Sequence, residues 1–464
     1  MSGRIAQRCR PLGFLLLFLA VSLGREERAR AGKHSYVFER KPVFIIGDRA
    51  AAVALQPDGK LVVAGESDRE FVLVRYQPDG TLDATFGVEG AVRTSLGTDG
   101  ASALALQADG KVVVIGKVYQ PYTGIDYGVL RYNPDGSLDE GFGTNGLATT
   151  DFPIPDSAST DSPSGDATGG YGRRTTEPQK PPSVLGPSYD EPFAVAIQPD
   201  GKIVVGGTSG LARYNTDGSL DENFGTAGRL RIDVGHFVLQ KDGKIVMVVP
   251  QRTFMLTRYN QDGSRDASFG TSGSVTTQIG SVSTAGDVAV QADGKLVVAG
   301  TSYDGHKIGF ALARYTPDGA LDGSFGRSGT IVSDLSAVLP PQFFHAEDLQ
   351  GARWKVMLQA EGKIVVAGTP WHLLVGRGLL LARYTRDGQV DSGFGRGGHV
   401  TVTIKRAEGF FRALALQPDG KIVVAGGAEN GMMVRRYRSD GKLDPTFGKG
   451  GKVTTRLGAG YTIG

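Results

Sequence analysis

In 464 residues the chain carries 69 glycines, and its 51 Lys and Arg exceed its 48 Asp and Glu by only three. So balanced a charge leaves no electrostatic footprint for nucleic acid. The single cysteine, Cys9, precedes the first apolar run, so a mature chain lacking the N-terminus has neither a disulfide nor a thiolate nucleophile.

The N-terminus carries Arg4, Arg8 and Arg10, an apolar run from Leu12 to Leu23, then small residues at Ala29 and Ala31. This is the layout of a secretory signal peptide, residues 1–31, with cleavage expected near 24 or 31. The run is shorter than the about 18 to 20 apolar residues that span a bilayer; a tethering helix is the alternative. A secreted, periplasmic or cell-surface protein is expected, free of the membrane after cleavage.

Residues 42–464 read as one domain, because a unit recurs seven times. Ala413 to Gly426, ALALQPDGKIVVAG, is a clear copy, and the others start near Ala52, Ala103, Ala194, Phe237, Val288 and Lys355. Each is followed by LARY or a variant, an Asp-Gly, LD and FGxxG, as in Leu211 to Gly228. The glycines fall at fixed repeat positions, so they mark turns rather than disorder. ALALQ alternates small and large apolar residues, and KIVVAG is a continuous apolar run that suits a strand covered on both faces. The first turn has Asp-Gly in six copies and Glu361-Gly362 in the sixth; the second has Asp-Gly in all seven, at Asp79, Asp135, Asp217, Asp262, Asp318, Asp387 and Asp440. Glycine takes the positive φ that such hairpin turns require.

Four strands per copy and seven copies predict an all-β fold, a seven-bladed β-propeller of four-stranded antiparallel blades, acting as a monomer. A stacked solenoid needs polar capping repeats, and the end copies are as apolar as the middle ones. VFIIG at Val43 to Gly47 and VTTRLG at Val453 to Gly458 occupy the same repeat position, so closure either uses the N-terminal strand or leaves one of the two redundant. Residues 151–191, rich in Ser, Pro, Gly, Asp and Thr, read as a disordered insertion between copies two and three. A shorter insertion spans Asp334 to Arg353, and the fourth copy departs most, with Pro250 expected to end its second strand early.

In an antiparallel meander the two Asp-Gly turns open on one face of the ring. The links between strands two and three, and between copies, open on the other, and all the variable segments lie there. Loops on a rigid scaffold commonly carry binding. This face holds Tyr119, Tyr122, Tyr127, Tyr303, His306, Trp371 and His372, whose rings and polar tips suit a protein or glycan partner. The plain alternative is that these rings only cover neighbouring loops.

Arg-Tyr closes the third strand of every copy, and an Asp follows every second turn (Asp83, Asp139, Asp221, Asp266, Asp322, Asp391, Asp444). A bidentate Arg to Asp bridge is expected, in preference to a ring of carboxylates holding Ca²⁺. The Phe of FGxxG is expected between blades. Gly141 to Gly146 and Gly393 to Gly398 spell G-x-G-x-x-G, but a turn precedes and a strand follows, so neither is a nucleotide fingerprint. The six histidines show no metal-ligand spacing, and no nucleophile elbow occurs, so no catalytic residue, metal or cofactor is expected. A hydrolase or lyase with its site at the mouth of the central channel is the competing reading.

The ordered set ALALQPDGKIVVAG, LARYNxDGSLD, xFGxxG and VTT resembles the delta-60 repeat family of secreted bacterial proteins from about Ala51 to Leu457, and more distantly NHL-type propeller repeats. The resemblance implies a propeller and an extracytoplasmic address, and it transfers no catalytic residue.

Overall fold

Each copy folds into four antiparallel strands; in blade 1 they are Arg49–Leu55, Leu61–Ser67, Glu70–Tyr76 and Ala91–Thr94. The computed structural model describes residues 48–96, 100–153, 188–306, 308–334, 353–369, 377–404, 410–428 and 431–457, and no helix occurs among them. The expected signal peptide, Val43 to Gly47, Trp371, His372 and most of both insertions lie outside the described residues. The other blades begin with Ala101–Leu106, Pro192–Ile197, Phe237–Leu239, Val282–Val290, Arg353–Leu358 and Phe410–Leu416. They end with Leu147–Thr150, Arg229–Leu230, Ser274–Thr277, Thr330–Asp334, His399–Ile404 and Lys452–Thr455. First strands of successive blades touch one another all the way round, including the last against the first, so they line the axis of a closed seven-bladed ring.

Every blade comes from one contiguous copy. The outer position of blade 7 is filled by Lys452–Thr455 beside Gly431–Tyr437, and Arg49 pairs with Gly427 to join blades 1 and 7 in one sheet. In blade 4 the second strand ends at Pro250, as expected, and the inner strand shrinks to Phe237–Leu239.

The continuous apolar runs are buried on both faces because each blade is sandwiched between two others. Among the described residues the apolar core divides into seven clusters, each shared by two adjacent blades; one combines Val63, Val72 and Val74 of blade 1 with Val423, Ala425 and Val434 of blade 7.

A polar node repeats at each of these seams. In blade 1, Arg75 Nε donates to Asp83 Oδ2 at 2.6 Å, Lys60 Nζ reaches the same oxygen at 3.0 Å, and the Arg75 guanidinium lies 4.5 Å from the centre of the Phe86 ring. Arg75 Nη1 then donates to the carbonyl of Pro134 in blade 2, while Gly87 N donates to Asp135 O at 2.7 Å. Equivalent bonds from Arg131, Arg213, Arg258, Arg314 and Arg383 carry the pattern round the ring, and Arg436 and Gly448 close it on Pro78 and Asp79 of blade 1. The Arg to Asp bridge is not bidentate as expected. One carboxylate oxygen takes the cations, and the other accepts from the following turn, as Asp83 Oδ1 does from Thr85 N and Oγ1.

The Phe of FGxxG is buried in every blade and packs on the second-turn glycine of the next. At Gly136, φ is +91° and an added Cβ would meet Phe86 at 3.0 Å and Gly87 N at 2.9 Å, so both the conformation and the space exclude a side chain.

Burial raises the Asp83 carboxyl, but hydrogen bonds from Thr85, Lys60 and Arg75 more than reverse this and hold it well below the usual carboxylate range; its six counterparts are lowered too. A depressed carboxyl contributes stability that is fully present above its unfolded pKa of about 3.9 and lost as the pH falls below it. Urea midpoints should therefore drop steeply below about pH 4; a midpoint indifferent to pH there would refute the node as a source of stability. Asp83→Ala strands two cations at a buried site and should cost about 3–5 kcal/mol in urea unfolding. A loss below about 1 kcal/mol would mean that solvent already screens the pair.

Candidate functional site

The link between strands two and three opens on the face opposite the Asp-Gly turns, and in blade 2 it is enlarged. Its strands Val112–Gln120 and Gly124–Tyr132 run nine residues each, whereas those of blade 3 run five. The outer strand of this blade is split. Leu147–Thr150 pairs with the lower part of Gly124–Tyr132, and the chain returns after the insertion as Ser188–Tyr189, which pairs in parallel with Gly124 and Ile125. The ends of the segment expected to be disordered are thus built into the blade: Phe152 is buried 4.9 Å from Tyr127, ring centre to ring centre.

This arrangement places Tyr119, Ile125 and Tyr189 in one row across three strands, because Ile125 is the register partner of both tyrosines. Paired residues point to the same side of a sheet. Tyr119 and Tyr189 are each 58 % exposed, and Tyr122, in the connecting turn, is 91 % exposed. Lys117 Nζ lies 5.9 Å from the centre of the Tyr189 ring and 3.6 Å from Glu191, forming a charged rim.

Among the described residues, the other sequence-predicted ones do not join this row. Tyr127 is a correction: it is fully buried, its hydroxyl donating to Gly210 O at 3.0 Å and accepting from Ser209 N at 3.3 Å, so it ties blade 2 to blade 3. Tyr303 and His306 belong to the corresponding hairpin of blade 5. There Tyr303 is half-buried and gives its hydroxyl to Gly305 O, while His306 is exposed and its N–H is capped by Asp304. Tyr189 escaped the sequence reading because it lies in a stretch without hydrophobic periodicity.

Two further groups emerge only in three dimensions. Asp126, Asp151 and Asp190 bring carboxylate oxygens within 4.8 Å of one another at the root of the insertion. Asp126 Oδ2 accepts from Thr123 Oγ1 at 2.9 Å, and Asp190 accepts from Phe152 N and Ser209 Oγ. Burial, countered in part by the Thr123 bond and reinforced by Asp151 and Asp190, pushes the Asp126 carboxyl up to about 6. The three residues are far apart in the sequence, so spacing gave no signal.

The second group lies on the inner strands. Four residues before the turn Gln, four blades have Ala52, Ala103, Ala194 and Ala413, but blades 4, 5 and 6 have His236, Asp287 and Lys355. Lys355 Nζ lies 3.2 Å from His236 Nδ1 and 3.8 Å from Asp287 Oδ1, and Asp287 Oδ2 accepts from Val356 N. Blades 4 and 6 are not neighbours, so the lysine and histidine meet at the axis, in front of blade 5. A protonated Lys355 donating to Nδ1 would leave the histidine proton on Nε2. Aligning the copies exposes this departure from alanine.

Residues 56–86, 107–142, 198–224, 240–269, 291–325, 359–394 and 417–447, one stretch in each blade, are similar to the family model described as a domain of unknown function (DUF5122) beta-propeller. No curated protein matches it. Among solved structures it is similar to virginiamycin B lyase from Staphylococcus aureus, at 14 % identity and a TM-score of 0.44, over 83 % of this chain and 92 % of that one. It is also similar to a protein from Lactobacillus plantarum, at 17 % identity and a TM-score of 0.40, over 77 % and 88 % of the two chains. A third is the PQQ-bound aldose sugar dehydrogenase from Streptomyces coelicolor, at 13 % identity and a TM-score of 0.35, over 78 % and 96 %. None of them assigns a role to a residue of this chain.

Proposed function

We propose that the chain is a secreted, non-enzymatic propeller that binds a glycan through its variable face, centred on blade 2. The observation that carries this reading is the pair of exposed rings, Tyr119 and Tyr189, aligned across the half-buried Ile125, with exposed Tyr122 beside them. Two strand spacings separate the outer rings by about 10 Å, a span suited to a disaccharide unit. Tyrosine faces stack on the apolar C–H faces of sugars while their hydroxyls, with Lys117 and Glu191, offer hydrogen bonds to sugar hydroxyls. A protein partner fits less well: three tyrosines burying about 150–250 Å² each fall short of the roughly 800 Å² per side of a standard protein interface. Tyr303 and His306 of blade 5, with Trp371 and His372 of the following copy, are proposed as the outlying part of the same face.

The test is a glycan array probed with the purified chain, followed by titration of the best ligand against Tyr119→Ala and Tyr189→Ala. Each substitution should weaken binding at least about tenfold, the loss expected of a large aromatic contact. Undiminished binding by both variants would remove blade 2 as the site, and capture of a protein with no glycan hit would change the class of partner.

One observation favours a second reading. The charged trio His236, Asp287 and Lys355 replaces alanine on the axis, where a hydrolase or lyase would place an acid–base pair. If that reading holds, a screen of hydrolytic and elimination substrates should find turnover that falls at least about a hundredfold in His236→Ala and survives Tyr119→Ala. Activity insensitive to His236→Ala would dismiss the trio as a structural contact.

A further inference from the structure

The seven repeated aspartates are each matched by a lysine and an arginine, whereas Asp126 is not. It is 97 % buried, and its Oδ1 has no hydrogen-bond partner although two other carboxylates lie beside it. A buried anionic oxygen without a partner next to two like charges is among the least favourable arrangements a folded chain can hold. A bound cation would remove both penalties together.

We propose that Asp126, Asp151 and Asp190 bind a Ca²⁺ ion that fastens both ends of the insertion to blade 2. The donors are all oxygen, with neither His nor Cys in the cluster, which selects a hard cation over zinc or copper. Oxygens bound to Ca²⁺ at about 2.3–2.6 Å can stand up to about 5 Å apart across the ion, whereas Mg²⁺ limits them to about 4.2 Å. The carboxylate oxygens lie within 4.8 Å of one another, inside the span that Ca²⁺ accommodates. A carboxylate oxygen that accepts one hydrogen bond, as those of Asp190 do from Phe152 N and Ser209 Oγ, can also ligate a metal, and water completes the shell.

The placement explains what such a site would do in blade 2. Asp151 directly follows Leu147–Thr150, where the chain leaves the blade, and Asp190 directly follows Ser188–Tyr189, where it returns. Asp126 sits on the strand that both pieces pair with. An ion held by all three cross-links the split outer strand to its neighbour. It also fixes Asp190 next to Tyr189, although Ca²⁺ binding does not depend on what Tyr189 recognises.

The experiment uses the full chain freed of metal with EDTA and titrated with CaCl₂ by calorimetry. One Ca²⁺ per chain should bind with a Kd in the submillimolar to micromolar range, and the unfolding temperature should rise with Ca²⁺ and fall back with chelator. Tb³⁺, replacing Ca²⁺ near Tyr127 and Tyr189, should give tyrosine-sensitised luminescence that excess Ca²⁺ quenches. Asp126→Asn and Asp190→Asn, each checked for native circular dichroism, should weaken Ca²⁺ at least tenfold and abolish the Tb³⁺ signal. No saturable Ca²⁺ binding up to several millimolar, or binding unchanged in both variants, would overturn the proposal. Equal affinity for Mg²⁺ would overturn the choice of ion.

Discussion

A buried arginine at every blade seam is the constraint on which this ring depends. Each makes three kinds of contact at once: with the aspartate of its own blade, which also holds a lysine, with the Phe ring of its own FGxxG turn, and with a backbone carbonyl of the next blade. A guanidinium this deeply buried is tolerable only if its charge and its donors are satisfied together. The geometry of one blade and the seating of the next are therefore not independent. A blade whose turn is misplaced leaves its predecessor's arginine short of an acceptor. Closure follows from the same rule, since Arg436 finds Pro78 O just as Arg75 finds Pro134 O. Among the described residues the two ends of the ring are held by seam contacts, among them Tyr76 with Thr455 and Leu457 N with Asp48, and the outer strand of blade 7 comes from its own copy.

Repetition on one face leaves the other free to differ. The nodes and both Asp-Gly turns occupy the same half of every blade, so the links between second and third strands can lengthen without disturbing a seam. Blade 2 shows how far this goes: its hairpin grows, its outer strand breaks, and yet Arg131 still bridges Asp139 and still reaches Thr216 O in blade 3. Tyr127 marks the boundary between the two regimes. Below it the hairpin is core shared with blade 3, and beyond it Tyr119 is exposed and Ile125 only half-buried.

What was legible in the sequence was what recurs. Seven copies of two glycine turns and two apolar runs specify blade number, strand order and the uniform face, because each signal is local and is stated seven times. The Arg–Asp pairing was legible for the same reason, but its geometry was not. A single oxygen serves the cations because the other is taken by the turn, and sequence spacing does not reveal that competition. Tyr127 was read as a loop residue because KVYQPYTGIDY differs from every other copy. In the structure the strands continue to Gln120 and resume at Gly124, which makes Tyr127 strand interior. Tyr189, the acidic cluster and the axial trio share the opposite fault. Each occurs once, and the cluster and the trio are assembled from segments distant in sequence; aligning the copies marks the trio's departure from alanine, but not that its members meet.

The root of the insertion joins the stability of blade 2 to the surface it presents. Tyr189 is exposed, belongs to a two-residue strand, and owes its position to the pairing of Ser188 and Tyr189 with Gly124 and Ile125 and to the anchoring of Asp190 N on Ile125 O. A strand that short has little cooperativity of its own, so whatever fixes Asp190 also fixes the ring beside it. Aromatic surfaces bind with less entropic cost when their rings are already placed. The three aspartates stand where the long return of the chain must be held, with Asp126 and Asp190 next in sequence to the Ile125 and Tyr189 of the proposed binding row. Ordering at the base of the blade thus translates into readiness at its rim without any change in the seams that hold the ring together.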